Sequence, residues 1–114
     1  MSDCLFCKIR DGQIPAKLVH EDVSCFALRD VNPQAPTHVL VVPREHIATL
    51  NDLDEGHAAI AGHLLVVAAQ IAKAEGIAER GWRAAFNVNK GGGQHVFHIH
   101  LHVLGGRTFG WPPG

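Results

Sequence analysis

From Phe97 to Val103 the chain alternates strictly between apolar residues and histidines: Phe97-His98-Ile99-His100-Leu101-His102-Val103. A period of two fits an extended strand and not a helix. Alternate side chains on a strand project to one face. The pattern therefore predicts a strand over residues 95–104. His98, His100 and His102 would line one surface, while Phe97, Ile99, Leu101 and Val103 would point into a core. A row of imidazoles on a sheet indicates a metal site or a reaction centre.

Partner elements can be read along the rest of the chain. Residues 16–20 and 23–29 read as two short strands, with Glu21-Asp22 as a two-residue hairpin connection. Residues 37–43 (THVLVVP) are apolar and β-branched, which suits a buried strand. Residues 82–88 predict another strand, and Asn89 to Gly93 a glycine-rich turn. Residues 3–10 predict a short helix capped by Asp3. Residues 55–75 predict the long helix: Ile60, Leu64, Leu65, Ala68, Ile71 and Ala72 recur at helical spacing, Asp54 caps it and Gly76 ends it. The order is short helix, three strands, long helix, two strands. Tight loops favour antiparallel pairing, so the fold class is α+β.

The chain's 114 residues suit a single domain spanning 1–114. Ten basic residues against eleven acidic ones give a net charge of −1, which offers no electrostatic reason for nucleic-acid or anionic-membrane binding. It leaves room for one small anion held locally. No apolar run approaches the ~20 residues of a membrane span. Met1-Ser2-Asp3-Cys4 lacks the features of a secretory signal. Three cysteines cannot all pair within the chain, so a cytoplasmic location is expected, with Cys25 packed in the core. Trp111-Pro112-Pro113-Gly114 cannot continue a strand. Trp111 needs cover, either from its own chain or from a neighbouring subunit.

Same-face neighbours on a strand sit ~7 Å apart, so His100 has an imidazole on each side. Imidazole titrates near pH ~6.5 and can carry a phosphoryl or nucleotidyl group covalently. Neighbouring donors would stabilise charge on the phosphate oxygens. A catalytic trihistidine zinc site is the rival reading, but three ligands on one strand converge poorly on an ion. The plainest alternative is three histidines bonded to backbone. Lys90-Gly91-Gly92-Gly93, flanked by Asn87, Asn89 and His95, would let main-chain amides approach an anion, or is simply a hairpin turn. Cys4-Leu5-Phe6-Cys7 has the spacing of a zinc half-site and needs two more ligands; otherwise it is two unligated thiols in a small helix.

The run Gly92-Gly93-Gln94-His95-Val96-Phe97-His98-Ile99-His100-Leu101-His102-Val103-Leu104-Gly105-Gly106-Arg107 resembles the signature of the histidine-triad (HIT) superfamily. Ile14-Pro15-Ala16-Lys17, Asn32-Pro33-Gln34-Ala35-Pro36-Thr37-His38 and the Trp-Pro-Pro-Gly tail resemble its Hint branch, the histidine-triad nucleotide-binding proteins. The resemblance covers nearly the whole chain. It implies a five-stranded antiparallel sheet with one long and one short helix, and a homodimer with a ten-stranded sheet. It also implies a purine nucleoside phosphoramidase acting on AMP-NH₂ or AMP-lysine type substrates without a catalytic cofactor.

By the resemblance, His100 is the nucleophile, His102, Asn87 and the amides near Gly93 and His95 contact the phosphate, and His38 orients the nucleophile or relays a proton. His98 is the first member of the triad. Asp30 takes the ribose hydroxyls, Phe6, Ile9, Ile14, Leu28, Val31 and Leu40 form the base pocket, and Trp111 approaches the partner subunit's site. Read without the resemblance, Asp30 starts a turn, the six apolar residues are plain core and His38 is a satisfied core histidine. The family often has Ser, and some bacterial members Glu, at the position of His95, which bears on the leaving group. Relatives carry a structural zinc on positions matching Cys4, Cys7, His46 and His98. A nucleotide-binding or scaffolding module with incidental hydrolysis, and a diadenosine polyphosphate hydrolase, are the alternative functions.

Overall fold

A computed structural model describes residues 3–114. Five strands, β1 (Leu18–Glu21), β2 (Cys25–Arg29), β3 (Thr37–Pro43), β4 (Trp82–Ala85) and β5 (Leu101–Gly105), form one antiparallel sheet in the order β1-β2-β3-β5-β4. Helix α1 (Leu5–Arg10) precedes the sheet, and α2 (Ala58–Ala74) separates β3 from β4. The α+β class and the five-stranded antiparallel sheet are as expected.

The two faces are covered differently. Leu64, Val67, Ala68, Ile71 and Ala72 of α2 pack with Cys25, Ala27, Val39, Val41, Leu101 and Val103. Phe6 of α1 packs on the opposite face with Phe26, Leu28, Leu40 and Val42. Burying a side chain of this size contributes about 1.5–3 kcal/mol. Val39 pairs with Val103, and Leu40 with His102. His102 therefore shares the α1 face, away from α2.

Element boundaries depart from the sequence expectations for local reasons. Helix α1 starts at Leu5, and Cys4 rather than Asp3 is its cap: extended backbone at Cys4 lets Sγ accept the Cys7 amide at 3.4 Å. The β1–β2 connection is three residues, 22–24, because Asp22 Oδ1 accepts the amides of Ser24 and Cys25 at 2.8 and 2.9 Å. Asp54 caps a short 3₁₀ turn, Glu55–His57, before α2 begins at Ala58. Gly76, with φ +75°, ends the helix as expected. Glu55–Ala74 is long and apolar enough to cross a membrane by length and composition alone, which a scan for apolar runs misses. Its buried side is the core layer on the sheet.

The largest departure concerns the histidine segment. The strand begins at Leu101, so only His102 of the three lies on β5. Before it, the chain leaves the sheet to bond elsewhere: the Ile99 amide donates to Ile47 O at 2.8 Å. Buried Gln94 donates to Ala48 O and Val96 O at 2.7 and 3.0 Å and accepts the Asn89 amide at 2.8 Å. Ile99, Leu101 and Val103 are buried as expected, but Phe97 is 48% exposed because it lies in this irregular segment. The strand predicted over 82–88 ends at Ala85.

Candidate active site and metal centre

Backbone contacts determine which nitrogen of each imidazole carries a proton. A carbonyl oxygen only accepts, and a backbone amide only donates. His100 Nδ1 lies 2.8 Å from His98 O, so Nδ1 holds the proton and donates. Its Nε2 therefore carries the free lone pair in the neutral ring. The Gln34 amide donates to His38 Nδ1 at 3.0 Å, so His38 is protonated at Nε2. That N–H faces His102 Nδ1 at 2.9 Å, which must accept. The proton of His102 is consequently on Nε2. This nitrogen is the one buried side-chain N or O without a hydrogen-bond partner among the described residues. The site thus presents a lone pair on His100 and an unpaired N–H donor on His102, with ring centres 5.0 Å apart.

Burial keeps these rings neutral. It pushes the His102 pKa down to about 4, helped by the neighbouring imidazoles of His100 and His38, beside which a second positive charge would be repelled. Burial likewise lowers His100. It lowers His38 too, with Asp30 opposing. Asp30 Oδ2 lies 3.4 Å from His38 Nε2, while Oδ1 accepts the Asn32 amide at 2.8 Å. Asp30 therefore starts the turn and also charges the His38 end of the chain of imidazoles.

His98 turns to a different set of partners. Its Nε2 donates to Pro43 O at 2.7 Å, so Nδ1 carries the lone pair. Burial lowers its pKa to about 4. That lone pair faces Cys4 Sγ at 3.3 Å, Cys7 Sγ at 3.6 Å and His46 Nδ1 at 3.1 Å; His46 Nδ1 is 3.3 Å from Cys7 Sγ. A tetrahedral zinc with bonds of about 2.0–2.3 Å separates its ligands by roughly 3.3–3.8 Å, and a ligating imidazole typically donates its other N–H to a carbonyl. The four donors fit that geometry and chemistry. The three imidazoles share the α1 face as expected, with Ile99, Leu101 and Val103 in the core under α2, but His98 bonds to partners of its own. Phe6 stands against both His98 and His100, with ring centres 5.7 and 5.0 Å away.

The other expected site residues divide. Phe6, Ile9, Leu28 and Leu40 pack in one apolar cluster beside the imidazoles. Ile14 is half-buried outside it, and Val31 is 98% exposed. Asn87, Gly93 and His95 are exposed, as is Trp111. His95 opens onto a cleft of about 450 Å³ lined by Asp3, Cys4, Leu5, His46, Val96 and Phe97, on the cysteine side rather than at His100. Sequence reasoning missed the backbone groups of Gln34, His98 and Pro43 that set the tautomers. It also missed Gln94, which anchors the glycine-rich turn. None of these is visible as a residue type.

An imidazole with a free lone pair, a donor imidazole and a third that holds the second are thus gathered on one antiparallel sheet. The chain belongs to the HIT family: the HIT domain model matches residues 11–109. It is 47% identical over 108 residues to the purine nucleoside phosphoramidase of Escherichia coli, covering 95% of this chain and 91% of that one. It is 49% identical over 112 residues to an uncharacterized HIT-like protein of Synechococcus elongatus, covering 98% and 97% of the two chains. A crystal structure of a HIT family hydrolase from Legionella pneumophila superposes with a TM-score of 0.96 at 54% identity, covering 98% of this chain and all of that one.

Proposed function

We infer that this protein hydrolyses purine nucleoside 5′-phosphoramidates through a nucleotidyl-histidine intermediate. The observation that carries the reading is the pairing of a lone-pair nitrogen on His100 with an unpartnered N–H on His102. The E. coli relative's name supports the substrate class.

His100 Nε2 attacks the α-phosphorus, the P–N bond breaks, and the amine leaves with a proton drawn from solvent. Water then attacks the phosphorus and gives up a proton to solvent, the Nε2–P bond breaks, and the nucleoside monophosphate departs as the imidazole returns to its neutral form. The His98 carbonyl offsets positive charge on His100 during both steps by accepting from Nδ1. His102 Nε2–H binds a phosphate oxygen, aimed by His38 and the Gln34 amide. Asn87 and the amides near Gly93 and His95 contribute further donors. Asp30 holds the ribose hydroxyls at the mouth of the apolar cluster of Phe6, Ile9, Leu28 and Leu40, with Ile14 and Val31 at its rim.

Cys4, Cys7, His46 and His98 would hold a structural zinc. It would tie α1 to the segment bearing His100 and supply no step of the reaction. The protein acts as a homodimer, in which the edge strand β4 and the exposed Leu65 and Val66 of α2 meet a second copy and Trp111 reaches the partner subunit.

Mass spectrometry after rapid mixing with an adenylated amine tests the reaction. An adduct of one nucleotidyl group on the peptide containing His100, absent in His100→Ala, is expected. His100→Ala should still bind AMP. Full turnover by His100→Ala would overturn the reading.

A further inference from the structure

On the other face of the sheet, three side chains from separate elements meet at one carboxylate oxygen of a fourth residue, Asp22. His20 of β1 has Nε2 2.7 Å from Asp22 Oδ2. His63 of α2 has Nε2 2.8 Å from the same oxygen. The Cys25 thiol, at the start of β2, lies 3.5 Å from it. The ligand atoms of His20, Asp22 and Cys25 all lie within 4.8 Å of one another. Cys25 and Ala27, the register partner of His20, belong to the cluster under α2, so this group is separate from the triad and from Cys4 and Cys7.

A turn carboxylate is satisfied by its own loop, and Asp22 Oδ1 already accepts two backbone amides there. That leaves Oδ2 as the point on which two imidazoles from different elements converge, with a thiol behind it. The ligand atoms of His20, Asp22 and Cys25 stand close to the spacing that a tetrahedral ion requires, roughly 3.3–3.8 Å between ligands, and His63 Nε2 lies beside them on the same carboxylate oxygen. To take an ion, each N···O contact opens by about 0.6 Å and the His63 side chain rotates toward His20 and Cys25. Cys25 is fully buried, while His20, Asp22 and His63 keep partial solvent access, which leaves an entry path.

We propose that His20, Asp22, Cys25 and His63 form a second metal site, for a borderline divalent ion of the zinc type. Two imidazoles, one thiolate and one carboxylate suit such an ion better than Mg²⁺ or Ca²⁺, which prefer all-oxygen shells. Binding balances as follows. Each neutral imidazole moves its proton from Nε2 to Nδ1, freeing Nε2 for the ion. The Cys25 S–H bond breaks and its proton goes to solvent. The +2 ion is then neutralised by thiolate and carboxylate. The site clamps the β1–β2 edge hairpin to α2, joining sheet edge and core helix through one ion.

Zinc added to the purified protein beside a weak competing chelator, and counted by native mass spectrometry, tests this. The wild type should carry one zinc per chain more than His63→Ala and His20→Ala, whatever the total, and each variant should weaken that site more than ~100-fold. Zinc should also raise the melting temperature of the wild type more than that of His63→Ala. Cys7→Ser should remove a different zinc and leave this difference intact, so the two metal readings fail separately. His63 is a half-exposed helix residue, which makes its variant a folded control should His20→Ala misfold. Equal zinc content in wild type and His63→Ala at saturation would overturn the proposal.

Discussion

Acidification should selectively weaken the fold through His102, and the size follows from its burial. In the folded chain its pKa is depressed to about 4 by burial and by its imidazole neighbours. Unfolded, it returns to about 6.5. The unfolded state therefore binds more protons between these values, and stability rises with pH across that window. The contribution is complete above pH ~6.5 and is lost as pH falls toward ~4. From pH ~7 to pH ~5 the loss is about 2 kcal/mol, since each tenfold difference in proton affinity carries about 1.4 kcal/mol. This is an upper value, because the ring keeps part of its surface in water. Urea denaturation of wild type and His102→Gln at several pH values isolates it: the variant should lack that part of the slope. Imidazole ¹⁵N spectra supply the direct check, with His102 protonated on Nε2, His100 on Nδ1, and a His102 midpoint near 4. Equal slopes in both proteins, or His102 titrating near its ordinary value, would refute the tautomer chain derived from Gln34, His38 and His98.

Other perturbations reach different parts of the molecule. Asp30→Asn should lower the His38 pKa further, because the carboxylate 3.4 Å away is what opposes burial there; NMR titration reads it directly. Gly105→Ala should destabilise by about 1–3 kcal/mol, because a Cβ at Gly105 would stand 2.5 Å from Ile77 Cδ1; a shift of the denaturation midpoint measures it. Leu64→Ala should cost about 2–5 kcal/mol as a cavity under α2, with nucleotide binding retained in the folded fraction. Cys7→Ser should reduce zinc content by one per chain and lower the melting temperature, read by metal analysis and calorimetry.

The alternation of histidine with apolar residues made residues 101–104 legible as strand, and the helical spacing of Leu64, Ala68, Ile71 and Ala72 identified the side of α2 that packs on the sheet. The pattern misled at 95–100, where period two continues but the backbone leaves the sheet, the Ile99 amide bonding Ile47 O and the His98 side chain bonding Pro43 O. Hydrogen bonds to distant carbonyls outweighed the local preference for extension, and they have no signature in residue type. His98, His100 and His102 look equivalent in the sequence, yet one faces two sulfurs, one presents a lone pair and one presents a proton.

Residue order alone determined the class of fold and the stock of imidazoles and thiols, because side-chain period and donor chemistry are properties of the chain itself. Protonation, partnership and direction were decided in three dimensions. A carbonyl at His98, an amide at Gln34 and a carbonyl at Pro43 come to bear on particular ring nitrogens only once the strands are paired and α1 is packed down. The gathering of His20, Asp22, Cys25 and His63 has the same origin: two stretches far apart in sequence meet because the core helix crosses the sheet beside its edge hairpin.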